Sequence, residues 1–210
     1  MNLQRVGGVA SVANAFLTAV VVFIIAAVFP RLGLVTPSDW TDPVKSIAAW
    51  PALSIPLSSL NIALVLMSIA ALLTILALRE RMHTSAPTLM RIAVIATSIG
   101  CAIWVATGLI EFGARPSILN AKDVSAYRAL IGMCVSLSTA GDHGMGWAVF
   151  LTGWAALRTA KLPRILSCLG VLTGAILILG FLSMPLDGVG YVLFIIWSLW
   201  LGVVLLRSNT

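Results

Sequence analysis

The chain has 210 residues, of which 60% are hydrophobic and 10% charged, and its mean hydropathy is +1.07. Soluble domains carry about 25% charged residues, so a soluble globular domain is excluded and a membrane protein is indicated. The net charge is +6, yet the basic residues stand at the ends of apolar runs as topology signals, which argues against nucleic-acid binding.

Apolar runs of about 20 residues, each long enough for a hydrocarbon core of roughly 30 Å, recur from the N-terminus onward. The first spans 8–29, follows Arg5 and stops at Pro30-Arg31. It is too long for a signal-peptide core and lacks a small-x-small cleavage site, so it reads as a retained helix. A polar loop follows, with turn chemistry at Thr36-Pro37-Ser38-Asp39 and Asp42-Pro43. Its Trp40 and Trp50 suit the membrane–water interface. The second run, 52–78, ends in Arg79-Glu80-Arg81. The third, 90–112, starts at Arg91 and is followed by Gly113-Ala114-Arg115-Pro116.

Residues 124–157 form a mostly apolar piece before Arg158, too long for one crossing and too short for two with a turn. Charge decides. With one crossing and the N-terminus inside, the chain has six spans, and the inner side holds Arg5, Arg79, Arg81, Arg91, Arg158, Lys161, Arg164 and Arg207 against Glu80 alone. The outer side keeps Arg31, Lys45, Arg115, Lys122 and Arg128, balanced by Asp39, Asp42, Glu111, Asp123 and Asp187. Two crossings would move Arg158, Lys161, Arg164 and Arg207 outside, against the positive-inside rule. An extra helical segment is therefore expected to start at the N-cap Asp123, to lie along or above the outer interface, and to descend as the fourth span over 138–157. Pro163 opens the fifth span, 165–183; "MPLDG" turns the chain outside, and 189–206 returns to Arg207. The expected fold is an all-α, polytopic transmembrane bundle of six spans, one domain over 1–210, with both termini cytoplasmic.

Counting from the basic residue at each inner boundary, Asp142 stands about 24 Å up, Glu111 about 30 Å, Asn61 about 27 Å and Tyr191 about 24 Å. Four spans thus set a polar side chain in one layer near the outer face, with His143 beside them in "STAGDHGMGWAVF". Stripes of small or polar side chains carry these residues. They are Cys101, Trp104, Gly108 and Glu111 on the third span, Ser54, Ser58, Asn61 and Ser68 on the second, and Gly141, Gly144, Ala148 and Thr152 on the fourth. Such stripes pack against other helices rather than acyl chains. Trp104, Trp147 and Trp197 count to about 20, 16 and 15 Å, near mid-membrane. An outward-opening polar pocket over an aromatic-lined cavity is the expectation, with Asn61, Trp104, Glu111, Asp142, His143, Trp147, Tyr191 and Trp197 as ligand-binding residues.

Structural roles compete for the same positions. Glu111 lies near enough to the boundary to meet headgroups and water, and Asn61 and Asn14 suit interhelical hydrogen bonds. Asp142 and His143 suit contacts with Arg115 or Arg128. Two histidines, His83 and His143, cannot build a bis-histidine haem site in the bundle, and a metal would need Glu111, Asp142 and His143 to converge. No metal and no cofactor is expected. Cys101, Cys134 and Cys168 lie in apolar runs without a CxxC and read as buried free thiols.

The stretch "LPRILSCLGVLTGAILILGFLSMPLDGVGYVLFIIWSLWLGVVLLR" has a basic-Pro-Arg start, a Leu/Gly-rich span, a short turn and a Trp/Leu/Gly-rich span ending in Arg. With the opening "LQRVGGVASVANA" it resembles a large family of uncharacterised bacterial multi-pass membrane proteins, a domain of unknown function. The resemblance implies a helical bundle of the bacterial inner (plasma) membrane. It carries no catalytic residue over, and "GDHGMG" lies outside it.

Three functions follow from these residues. The first is binding of a hydrophobic or lipid-like small molecule, with Asp142, Glu111 and His143 as candidate acid–base residues if the site is an enzyme's. The second is proton-coupled transport through Asp142 and His143. The third is an accessory or structural role as a homo-oligomer or complex subunit. Membrane lipids are expected partners in each.

Overall fold

A computed structural model describes residues 2–207, apart from the side chains of Pro37 and Met184. Among the described residues the chain is helical, with no strand. Helix α1 (Leu3–Phe23) runs through a π-turn (Ile24–Val28) into the short α2 (Phe29–Arg31). Then come α3 (Pro37–Thr41), α4 (Pro43–Met82), α5 (Pro87–Asn120) and α6 (Val124–Thr159). Helix α7 (Arg164–Leu179) ends in a 3-10 turn (Gly180–Leu182), and α8 (Met184–Arg207) closes the chain.

Local chemistry sets these starts. Pro37, Pro43 and Pro87 sit in first turns, where a missing N–H costs nothing. Asp42 caps α4 by accepting from the N–H groups of Val44 and Lys45, and Asp123 caps α6 by accepting from those of Ser125 and Ala126. Five helical stretches are long and apolar enough to cross a membrane: Leu3–Arg31, Pro43–Met82, Pro87–Asn120, Arg164–Leu182 and Pro185–Arg207. That is the make-up of a multi-pass membrane protein. Helix α6 has the length but, with Arg128, Asp142 and His143 along it, is not among the five.

The six long helices close into a ring in which each packs on its neighbours in chain order and α8 returns to α1. Small residues make the contacts. A Cβ on Gly144 of α6 would stand 2.8 Å from the Gly100 Cα of α5, and one on Gly146 would stand 2.9 Å from the Ile178 nitrogen of α7. A Cβ on Gly8 of α1 would meet Leu206 of α8 at 2.8 Å. Polar bonds join the same helices: Ser11 Oγ donates to the Ser198 carbonyl at 2.7 Å, Gln4 Nε2 to that of Ala77 at 3.2 Å, and Cys101 Sγ to that of Ser68 at 3.1 Å. In lipid, where apolar burial gives helices little reason to associate, close packing and such bonds do so.

Several expected boundaries move. Helix α4 starts at Pro43, nine residues before the expected 52, and runs through Pro51 and Pro56. Helix α5 continues past the expected 112 through Arg115-Pro116 to Asn120. "MPLDG" is the first turn of α8, with Asp187 at its positive end, rather than a loop. No break separates an outer segment from a descending one near Ser138, since α6 is a single 36-residue helix. Its hydroxyls there are satisfied within the helix: Ser136 Oγ donates to the Gly132 carbonyl at 2.9 Å and Thr139 Oγ1 to that of Val135 at 3.0 Å. The cysteines are free thiols, but Cys168 is exposed rather than buried.

Helix lengths position the site. By residue count α4, α5 and α6 measure about 60, 51 and 54 Å, against about 24 Å for α7 and 36 Å for α8. The α7–α8 hairpin meets α6 as far along it as His143, whose ring lies 5.2 Å from that of Phe181. Beyond that level α6 packs on α4 and α5 without the hairpin, and a Cβ at Gly132 would meet open space.

Candidate functional site

The expected single polar layer divides into two groups. In the first, Tyr191 OH of α8 donates to Asp142 Oδ1 of α6 at 2.6 Å, tying together two helices that are not ring neighbours. The Trp104 indole of α5 also reaches the Asp142 carboxyl, and Asp187 stands close enough for its charge to act on it. A Cβ on Gly180 would stand 2.7 Å from Asp187 Oδ1, so the glycine lets the hairpin close over that carboxyl. His143 takes no part. Its Nδ1 bonds the Thr139 carbonyl of its own helix at 2.9 Å, and its ring faces Phe181. Adjacent helical residues point about 100° apart, which separates the two side chains.

The second group lies further toward the N-terminal end of α6. Glu111 Oε1 pairs with Arg115 Nη2 at 2.7 Å, one turn apart on α5, with only 13% and 10% of their side chains exposed. Cys134 of α6 lies beside Glu111. Cys134 precedes Asp142 by eight residues on α6, so the ion pair stands about 12 Å along α6 from the Asp142–Tyr191 bond. Expected depths placed the two within about 6 Å. They differ because Arg91 and Arg158, the counting marks, sit at different heights in the bundle.

Space distinguishes this second group. Glu111 and Arg115 border a cavity of about 230 Å³, walled by Ile25, Phe29, Trp40, Thr41, Leu57, Leu60, Ile131 and Val135. Its walls follow from local structure. Pro30 has no N–H to give, and just before it Phe29 N–H bonds the Ile24 carbonyl five residues back, widening the helix into the π-turn that carries Ile25. Trp40, on α3, forms the lid. Its indole N–H donates to the Leu34 carbonyl at 2.8 Å and its ring meets Phe29 edge-on at 5.5 Å. Its own carbonyl accepts from Tyr127 OH at 3.1 Å and Ser46 Oγ at 3.2 Å. Thr36 and Asp39 hold α3 with a reciprocal capping box, and Lys45 pairs with Asp39. The Thr36 and Lys45 bonds draw the Asp39 carboxyl well below the usual carboxylate range, Lys45 contributing most. Arg115 Nε, buried, has no protein partner among the described residues.

The remaining expected residues are scattered. Asn61 is buried on α4 with its backbone carbonyl 3.3 Å from where a Gly108 Cβ would be, and its Oδ1 has no hydrogen-bond partner among the described residues. Trp104 packs over Gly141 and Trp197 over Gly170, each indole filling the gap that a glycine leaves. Trp147 is 48% exposed and points away from the bundle centre, edge-on to Phe150. An aromatic-lined cavity formed by all three tryptophans is therefore not what these placements make. Among the described residues no group of three His, Cys, Asp or Glu gathers as metal ligands. Arg115, Trp40 and Tyr127 were missed as site residues. The signal was present for Arg115: Glu111 and Arg115 stand at i,i+4, which pairs them once the helix is carried through Pro116.

Comparison with known protein families, curated proteins and solved structures finds no match.

Proposed function

We propose that the protein binds a lipid-like, amphipathic small molecule in the outer cavity, with the polar end of the molecule at Glu111–Arg115. One observation carries this reading: a largely buried ion pair with a spare guanidinium N–H borders a cavity of about 230 Å³ whose other walls, Thr41 apart, are apolar. Burying two charges is costly, and in a purely structural setting apolar residues of equal volume serve as well or better. Ligand pockets combine apolar walls with a few placed polar groups, as this one does. The reading takes the bundle as six crossings with both termini cytoplasmic, which puts the cavity at the outer side. The resemblance of the C-terminal hairpin supports a bacterial inner membrane.

Asp142–Tyr191 supports a second role, an interhelical lock rather than a reaction centre. Its carboxyl already has a short partner, and the glycine faces around it close the space. Glu111, the one carboxyl group on the cavity wall among the described residues, is the residue through which turnover of the ligand would run.

The test is purification in mild detergent followed by solvent extraction and mass spectrometry of the extract. Wild-type protein is expected to retain an amphipathic species enriched over the bulk membrane lipids. Glu111→Leu/Arg115→Met, which keeps the volume and removes both charges, is expected to lose it. Equal retention by both proteins would sink the proposal.

A further inference from the structure

The inner end of the bundle has a cavity of its own, remote from both carboxyl groups. It encloses about 560 Å³ where α6 gives way to α7, and Trp154, Leu157, Arg158, Leu162 and Arg164 line it. Ala160 turns the chain there through the left-handed region, with φ 51° and ψ 25°. That conformation costs a non-glycine residue about 1 kcal/mol or more. It brings Arg158, from the last turn of α6, and Arg164, the first residue of α7, to one opening. Lys161 lies between them in the sequence and is exposed. None of the three has an acidic partner among the described residues, whose ion pairs are Lys45–Asp39 and Arg115–Glu111.

Three unpaired cations within seven residues repel one another and call for an anion. The apolar residues on the wall and just beside it say what kind. Trp154 is 45% exposed and stacks parallel to Phe150, with centroids 6.5 Å apart. Ile165, on the first turn of α7, is 71% exposed. Indoles favour the membrane–water boundary, and a free small anion would gain nothing from an apolar wall. Arginine meets phosphate oxygens with paired N–H donors, and basic pockets between helices on the cytoplasmic side take anionic head groups. We propose that this pocket seats the phosphate headgroup of an anionic membrane phospholipid between Arg158 and Arg164, with its acyl chains running past Trp154 and Ile165. This does not depend on the outer cavity.

Native mass spectrometry of the full chain in detergent tests the idea, with phosphatidylglycerol and phosphatidylcholine titrated separately. Wild-type protein is expected to bind phosphatidylglycerol about tenfold more tightly. Arg158→Gln/Arg164→Gln should bind both lipids alike, with circular dichroism confirming its helix content. Arg158→Lys/Arg164→Lys should keep part of the preference. As a control for general basicity, Arg79→Gln/Arg81→Gln should keep all of it. The proposal is overturned if the lipids bind wild type equally, if the glutamine variant retains the preference, or if the control loses it as fully. Displacement of the lipid by millimolar inorganic phosphate would overturn it as well, marking a site for small anions.

Discussion

Asp142 and Glu111 are both carboxyl groups that the fold draws into an apolar bundle, and they end differently. Asp142 meets a hydroxyl from another helix at 2.6 Å, with glycine and indole packed around it. Glu111 meets an arginine of its own helix at 2.7 Å and faces a cavity. The first arrangement uses the polar group to join helices, which is what polar side chains commonly do in lipid. The second satisfies the charge within α5 and leaves a space beside it that the protein does not fill. A buried acid is therefore a candidate site only when room for another molecule comes with it.

The sharpest way to break this contrast is to remove one charge from the outer pair. Glu111→Gln leaves Arg115 charged, buried and without its counter-ion, and is expected to destabilise the protein by about 3 kcal/mol. Glu111→Leu/Arg115→Met removes both charges and is expected to recover most of that loss. Thermal unfolding in detergent measures both. A double variant as unstable as Glu111→Gln would mean that the ion pair holds the bundle together, and the contrast with Asp142 would vanish.

A smaller effect is expected from opening the closed site. Gly141→Ala drives a methyl group into the Trp104 indole, which must move. Overpacking of this kind costs about 1–3 kcal/mol. Ligand retention at Glu111, about two helical turns away, should not change. Measured together, unfolding and retention separate the two regions. Lost retention would show that they form one site after all.

Tyr191→Phe is milder still. It removes one donor and leaves Asp142 with the Trp104 contact, for an expected loss of about 1–2 kcal/mol. The outer cavity should keep its ligand. Asp142→Asn preserves an acceptor for the tyrosine hydroxyl and should cost less than the phenylalanine change. If Asp142→Asn proved the more damaging of the two, the charge rather than the hydrogen bond would be what matters, and proton transfer at Asp142 would return as the better reading.

The helical, multi-pass class and the stripes were legible because composition and 3.6-residue periodicity report directly on which faces meet lipid. The stripe Cys101–Trp104–Gly108 does meet α4 and α6, and Gly141 and Gly144 do take α5. Helix ends were less legible. Pro51 and Pro116 read as breaks, yet inside a bundle neighbouring helices and side-chain hydroxyls compensate for the missing N–H groups. The errors then compounded, because a loop at Arg115 hid the i,i+4 pairing that makes the outer site. Depth counting failed for a related reason. It took every basic residue to mark one plane, whereas helix–helix register depends on which glycine meets which, and no single helix carries that information.

Asp123 offers a third acid for the series, one in water, and the smallest of the effects. It is exposed at the start of α6, outside the apolar segments, and accepts from the Ala126 and Ser125 N–H groups and from Ser125 Oγ. These bonds, Ala126 first among them, hold its carboxyl below the usual range. A pKa lowered by folding stabilises the folded helix end above the ordinary aspartate value, about 3.9. That contribution is lost as pH falls through the lowered value. Acidification from neutral pH should therefore leave the protection of the Ser125 and Ala126 amides unaltered until the pH drops below about 4. Protection relative to the pH-corrected intrinsic rate should then fall at that end of α6 alone. Asp123→Ala should show the frayed end at every pH. Water screens this carboxyl, so its loss frays one turn, whereas removing Glu111 leaves a buried cation that the whole outer bundle must absorb. If the two variants destabilised the protein equally, enclosure of the Glu111–Arg115 pair would not be what sets it apart.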